Sequence, residues 1–255
     1  MRKVVMIIVI CLLVCILAFA SLMIFKTVRV YDKAEEIYED LQNEFVETKP
    51  AEEDTKLDEA PEDNKPIETA PIAVDFSSLL EQNGDIVGWI YCPDTPINYP
   101  VVQAEDNDQY LRRDLNGKYL VSGTVFVDYR NGAIGEDANY IVYGHNMKDG
   151  SMFSSLAKYK EQSYYDEHPV MYYLTPDGDY KIELYAGLVV KRDALIYVPN
   201  PEETEFAEFL TNAKANSTFK SDIELTENDT LITLSTCSYE YNNARYIVVG
   251  KMDRL

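Results

Sequence analysis

The chain has 255 residues, room for one large or two small domains, and a formal net charge of -21 at pH 7. Residues 31–75 alone hold 16 acids against 4 bases, a balance of -12. Phosphate contacts are made by Lys and Arg clusters, which this chain lacks, so nucleic acid is excluded as a partner class.

Residues 4–25 form an unbroken apolar run whose only polar member besides Cys11 and Cys15 is Ser21. At about 1.5 Å per residue a helix of this length crosses about 30 Å of hydrocarbon, so a transmembrane anchor is expected over residues 1–30. Ala18-Phe19-Ala20 before Ser21 also resembles a signal-peptide cleavage site, but the run exceeds an ordinary signal core and continues past that site. Arg2 and Lys3 on one flank face Lys26 and Arg29 on the other, so charge does little to orient the span.

Ala34, Ile37, Tyr38, Leu41 and Phe45 recur at helical spacing, which predicts an amphipathic stalk leading outward or a local dimerisation helix. Residues 47–71 change to Glu, Asp, Lys and Pro and read as a flexible spacer, because they bury too little apolar surface to offset chain entropy. The division expected is 1–30 cytoplasmic tip and anchor, 31–71 stalk and spacer, and 72–255 folded domain.

The folded region opens with a short helix at Phe76, Leu79 and Leu80, stopped by Asn83-Gly84. Short β-branched and aromatic runs follow at 88–92, 123–128, 139–144 and 170–175, each ended by a turn former or polar residue. Pro176-Asp177-Gly178-Asp179 joins the last of these to 180–190 as a hairpin. One helix is predicted over 203–216, with Phe206, Phe209, Leu210 and Ala213 on one face, and strands at 229–236 and 245–252 close the chain. Many short strands without βαβ alternation indicate a mainly β fold, a barrel or sandwich decorated by helices.

Chemistry concentrates near the C-terminus. Strand alternation puts Leu231, Thr233, Ser235 and Cys237 on one face, and a hairpin-type loop brings Arg245 beside Cys237. A guanidinium near a thiol favours the nucleophilic thiolate and can donate to an oxyanion. The plainer alternative is a buried structural thiol beside an Arg paired to an acid such as Glu240. Of the two histidines, His145 follows an apolar strand and Gly144, whereas His168 lies in a polar connection before Pro169, so His145 is the candidate acid/base. Cys92 and Cys237 both read as free thiols, and no His/Cys ligand spacing suggests a metal or other cofactor.

Thr233-Leu234-Ser235-Thr236-Cys237, an Arg eight residues later and Tyr143-Gly144-His145-Asn146-Met147 resemble the signature segments of sortases, most closely class B. Gly88-Trp89-Ile90, Tyr99-Pro100-Val101-Val102-Gln103, Asn107-Asp108-Gln109-Tyr110-Leu111 and Ser151-Met152-Phe153 extend the resemblance over about residues 75–255. It implies a closed eight-stranded sortase-type β-barrel with an N-terminal helix and a helix inserted before the penultimate strands. It also implies a cysteine transpeptidase that cleaves an LPxTG- or NPxTN-like sorting signal through a thioester. The acyl group passes to a peptidoglycan amine, outside a Gram-positive cell. By the same resemblance Asn107, Leu111 and Ser235 line the peptide groove; some class B members carry an acid where this chain has Ser238.

Three rivals are weighed against it. A cell-wall cysteine peptidase would hydrolyse the acyl-enzyme, but papain-like families place Cys before His and carry it on a helix. A class C sortase would bring a lid and a second membrane helix, and the chain here stops directly after its last strand. A non-catalytic surface module would leave Cys237, His145 and Arg245 incidental.

Overall fold

The structure, a computed structural model, describes residues 2–49, 68–226 and 229–255. A single helix, α1 (Arg2–Phe45), opens the chain. It is long and apolar enough to cross a membrane, and its N-terminal portion leaves side chains such as Leu12, Phe19 and Phe25 exposed.

The C-terminal turns of α1 behave differently. Ala34, Tyr38, Leu41 and Phe45, expected to form a stalk or dimerisation face, are buried against the barrel instead. Tyr38 donates its hydroxyl to the Gly123 carbonyl and meets the Tyr99 ring edge-on at 5.1 Å, while Gln42 donates to the Asn98 carbonyl at 2.7 Å. The reason is that the i, i+4, i+7 apolar stripe finds a partner within its own chain.

Strand β1 (Val46–Thr48) then pairs antiparallel with β2 (Ile72–Val74), Val46 opposite Val74. The two ends of the acidic segment are therefore tied together at the barrel surface. The predicted spacer falls mainly on residues 50–67, which lie outside the described residues.

Helix α2 (Phe76–Gln82) is capped by Asp75, whose carboxylate accepts from the Ser78 N–H at 3.1 Å. Eight strands follow: β3 (Ile86–Tyr91), β4 (Asn98–Val102), β5 (Val125–Val127), β6 (Asn139–Tyr143), β7 (Val170–Thr175), β8 (Gly178–Lys191), β9 (Thr230–Cys237) and β10 (Ala244–Arg254). They close in the order β10-β8-β7-β3-β4-β5-β6-β9, the eight-stranded barrel expected. The β4–β5 and β6–β9 pairs are parallel; all other barrel pairs are antiparallel.

Alternation along the strands sorts side chains into two cores. Trp89, Val142, Ile232, Leu234 and Val248 fill the barrel interior, and Trp89 satisfies its buried N–H on Asn98 Oδ1 at 2.7 Å. Ile141, Leu231, Ile247 and Val249 face outward and are covered by α4 (Glu203–Ala215) through Phe206 and Ala213. That helix is the predicted insertion before β9.

Periodicity does not signal strand β4, the 3-10 helix Phe153–Lys160 or helix α3 (Gln162–Glu167). In β4, Pro100 pairs opposite Trp89 and contributes no N–H, which masks the strand in a reading that demotes proline.

Candidate active site

Two pairings build the site. Strand β6 runs parallel to β9 with Tyr143 opposite Ser235, so His145 and Cys237 each lie two residues beyond the same register pair. Cys237 ends β9 and pairs directly with Arg245 at the start of β10. All three side chains therefore reach one rim, where they line a cavity of about 470 Å³ together with Asn107, Leu111 and Ser235. The outward face of β9 carries Ser235 and Cys237, as strand alternation requires, and Cys237 is half-buried.

The backbone around His145 is held on both sides. Gly144 donates its N–H to the Ser235 carbonyl at 3.1 Å, and its own carbonyl accepts from Thr236 Oγ1 at 2.8 Å. A Cβ on Gly144 would stand 2.5 Å from the Phe153 ring, so only glycine permits this approach. Beyond it, the Phe153 N–H donates to the His145 carbonyl at 3.0 Å.

Among the described residues the imidazole has one hydrogen-bond partner, the Leu111 carbonyl, 2.7 Å from Nε2. A carbonyl only accepts, so Nε2 carries the proton in the neutral ring and Nδ1 is the nitrogen left to take one up. Leu111 thus serves His145 through its backbone. Its carbonyl is pressed against Gly123, which has φ +57° and where a Cβ would lie 2.5 Å from that oxygen. Burial pushes the His145 pKa below its ordinary value; the bond to Leu111 partly opposes this, and nearby Arg112 adds to it.

Arg245 donates from Nη1 to the Ala244 carbonyl at 3.0 Å, and among the described residues no carboxylate lies within ion-pair distance of it. Glu240, the acid considered as its partner, bonds Lys160 and the Ser238 hydroxyl instead. Lys160 and Ser238 together hold the Glu240 carboxyl down to about 2. The acid of this loop therefore sits two residues beyond Ser238 and is already engaged.

The remaining candidates stand apart. Cys92 is buried beside the Tyr159 hydroxyl at 3.6 Å, where burial pushes its thiol up. His168 packs on the Tyr164 ring with 4.5 Å between centroids. Neither lines the cavity. Among the described residues no group of three or more His, Cys, Asp or Glu is placed to hold a metal ion.

Periodicity does not single out Tyr197, Tyr143 or Arg192 as cavity residues. Tyr197 stacks on Tyr143 at 6.0 Å, and its hydroxyl lies 2.7 Å from Ser235 Oγ. It comes from a 3-10 turn, Leu195–Tyr197, with no local sequence signal. Tyr143 does stand in the segment that carries the resemblance.

The signature described as the sortase domain matches residues 90–253, a span that holds His145, Cys237 and Arg245. The chain belongs to the sortase family. It is 37% identical over 182 residues to sortase B of Listeria monocytogenes, covering 70% of this chain and 74% of the relative. A Staphylococcus aureus sortase B–substrate complex superposes with a TM-score of 0.66 at 32% identity, over 71% of this chain and 85% of that one. A sortase B structure complexed with triglycine matches with a TM-score of 0.66 at 32% identity, over 71% of this chain and 86% of that one. Within the family the class B members are those it resembles. The chain is accordingly a sortase-type cysteine transpeptidase, and the hydrolytic cell-wall peptidase is not favoured.

Proposed function

We propose that Cys237 is the nucleophile of this transpeptidase, His145 its acid/base and Arg245 its oxyanion partner. The observation that carries the assignment is the pair of registers, Tyr143 opposite Ser235 and Cys237 opposite Arg245, which sets all three at one rim around one cavity. The Cys237 thiol gives its proton to His145 Nδ1, the resulting thiolate attacks the carbonyl preceding the scissile bond of a sorting signal, and Arg245 donates to the oxyanion that forms. Collapse expels the amine, which leaves with a proton from His145, and the acyl group remains as a thioester. A peptidoglycan amine then attacks the thioester, gives its proton back through His145 and frees the thiol.

Asn107, Leu111 and Ser235 line the groove for the sorting peptide. The complexes of related sortase B proteins with substrate and with triglycine support a peptide donor and an amine acceptor. The N-terminal half of α1 anchors the protein in the cell membrane, with the barrel of 72–255 as the catalytic domain on the outer side.

The test is to incubate the protein with LPxTG-like and NPxTN-like peptides, with and without an amine acceptor, and to weigh the products. Cys237→Ala abolishes the covalent adduct and His145→Ala suppresses turnover, whereas Cys92→Ala and His168→Ala retain both. An adduct that persists in Cys237→Ala, or is lost in Cys92→Ala, refutes the assignment.

A further inference from the structure

Behind the cavity wall lies a charge that the chemistry above does not use. Asp128 is fully buried just after β5, and its carboxylate does not line the cavity. Arg130 donates to it from Nε at 2.7 Å and from Nη2 at 2.8 Å, and the Arg130 backbone N–H adds a third bond at 3.1 Å. Burial alone would raise its pKa, but the Arg130 bonds, with those from Tyr143 and Asn107, outweigh it and hold the group ionised below the usual carboxylate range.

Those last two bonds reach the groove. Tyr143 donates its hydroxyl to Asp128 Oδ2 at 2.9 Å, and Asn107 donates Nδ2 to the same oxygen at 3.1 Å. Asn107 Oδ1 accepts the Tyr129 N–H at 3.0 Å. A carboxylate only accepts and an N–H only donates, so the Asn107 amide has one permitted orientation. One of its N–H bonds remains for a ligand. On the far side, Arg130 Nη2 donates to the Tyr197 carbonyl at 2.7 Å, and Tyr197 in turn stacks on Tyr143.

One ion pair, its carboxylate buried and its guanidinium partly exposed, thus holds three cavity residues, Asn107, Tyr143 and Tyr197, which arrive on three separate segments. The arrangement gains little stability over an apolar packing of the same volume, since desolvating the carboxylate consumes much of its attraction to a guanidinium that stays partly in solvent. What an apolar packing could not do is aim an amide and a phenol.

We propose that Asp128, through Arg130, is a positioning residue for peptide recognition: it sets the orientation of Asn107 and Tyr143 and the placement of Tyr197, and so governs the affinity for the sorting signal. This rests on the proposed function of the groove. Asp128 touches neither the reacting carbonyl nor Cys237, so its loss acts on substrate binding far more than on the chemical step.

The experiment uses full-length protein in detergent, wild type and Asp128→Asn, with three readouts: KM and kcat for a sorting peptide, the rate of Cys237 alkylation by iodoacetamide, and thermal midpoint. Asp128→Asn raises KM by about tenfold while kcat and alkylation stay within about threefold. Should that variant fail to fold, Tyr143→Phe removes one bond and leaves the ion pair, and raises KM by about threefold. An active wild type with unchanged KM in a folded Asp128→Asn, or in Tyr143→Phe if the former does not fold, overturns the inference alone. A wild type that processes no sorting peptide overturns the proposed function and this inference with it.

Discussion

Asn146 Nδ2 donates to the backbone carbonyl of Cys237 over 2.8 Å, so the residue after His145 is tied to Cys237 itself. The bond crosses from the end of β6 to the end of β9, beyond the last register pair of that parallel ladder, Tyr143 with Ser235. It extends the ladder with a side chain where backbone pairing has stopped.

Asn146→Ala therefore loosens the spacing between His145 and Cys237. A small misplacement of reacting groups is costly to the rate, so kcat falls by about tenfold with little change in KM. Asn146→Asp places a carboxylate against the carbonyl oxygen and lowers kcat further. Steady-state kinetics on a sorting peptide checks both; equal effects on KM and kcat would mean the bond shapes the groove.

Arg245→Lys keeps the charge but loses the planar donor array, and acyl transfer falls by at least about tenfold, as when an oxyanion donor is removed. Burst amplitude on intact protein, followed by mass, provides the measurement. A wild-type rate in this variant would reduce Arg245 to a structural role.

His145 carries a pH signature. Its folded pKa lies below the ordinary 6.5, so the folded state binds fewer protons than the unfolded state in the window just below that value. Its contribution to stability is fully present above 6.5 and is lost as pH falls through that window toward the folded pKa. His145→Gln preserves a donor for the Leu111 carbonyl but does not titrate. Urea midpoints taken above and within the window fall more in the wild type than in His145→Gln; parallel slopes would contradict the burial of the ring. NMR of the His145 ring gives a midpoint below 6.5.

The packed end of α1 makes a stability prediction. Ala34, Tyr38, Leu41 and Phe45 are all buried, and a large apolar side chain contributes about 1.5–3 kcal/mol on burial. A chain starting at Ile72 loses these contacts and the β1–β2 ladder, and unfolds at lower denaturant than one starting at Tyr31. Equal midpoints would show the helix to be a passive attachment.

Most strands, the inserted helix and the availability of Cys237, His145 and Arg245 were legible in the sequence because each has a local cause, whereas periodicity left a barrel or a sandwich open and the closed eight-stranded barrel was implied only by the resemblance to sortases. Alternation along residues 231–237 places Cys237 at a strand end, and a short loop returns Arg245 to it. Both need only nearest-neighbour geometry. The stripe on residues 34–45 was equally legible, but a stripe says that a face is apolar and not what covers it. Only the folded chain supplies the barrel as its partner.

The rest depended on contacts between residues far apart in the chain. The parallel pairing of β6 with β9 joins distant segments, and no periodicity in either strand encodes the register that sets Tyr143 opposite Ser235. Tyr197 and Asp128 carry no signal of their own, being a tyrosine in a short turn and an acid just after a short strand. Residue type and backbone period were enough to say which side chains were available for acyl transfer and which face of each element they occupy. Which of them meet, that Glu240 turns to Lys160 and not to Arg245, and that a buried carboxylate aims the groove were left to the folded chain, because those outcomes depend on long-range packing and on which charged side chains it brings within reach of one another.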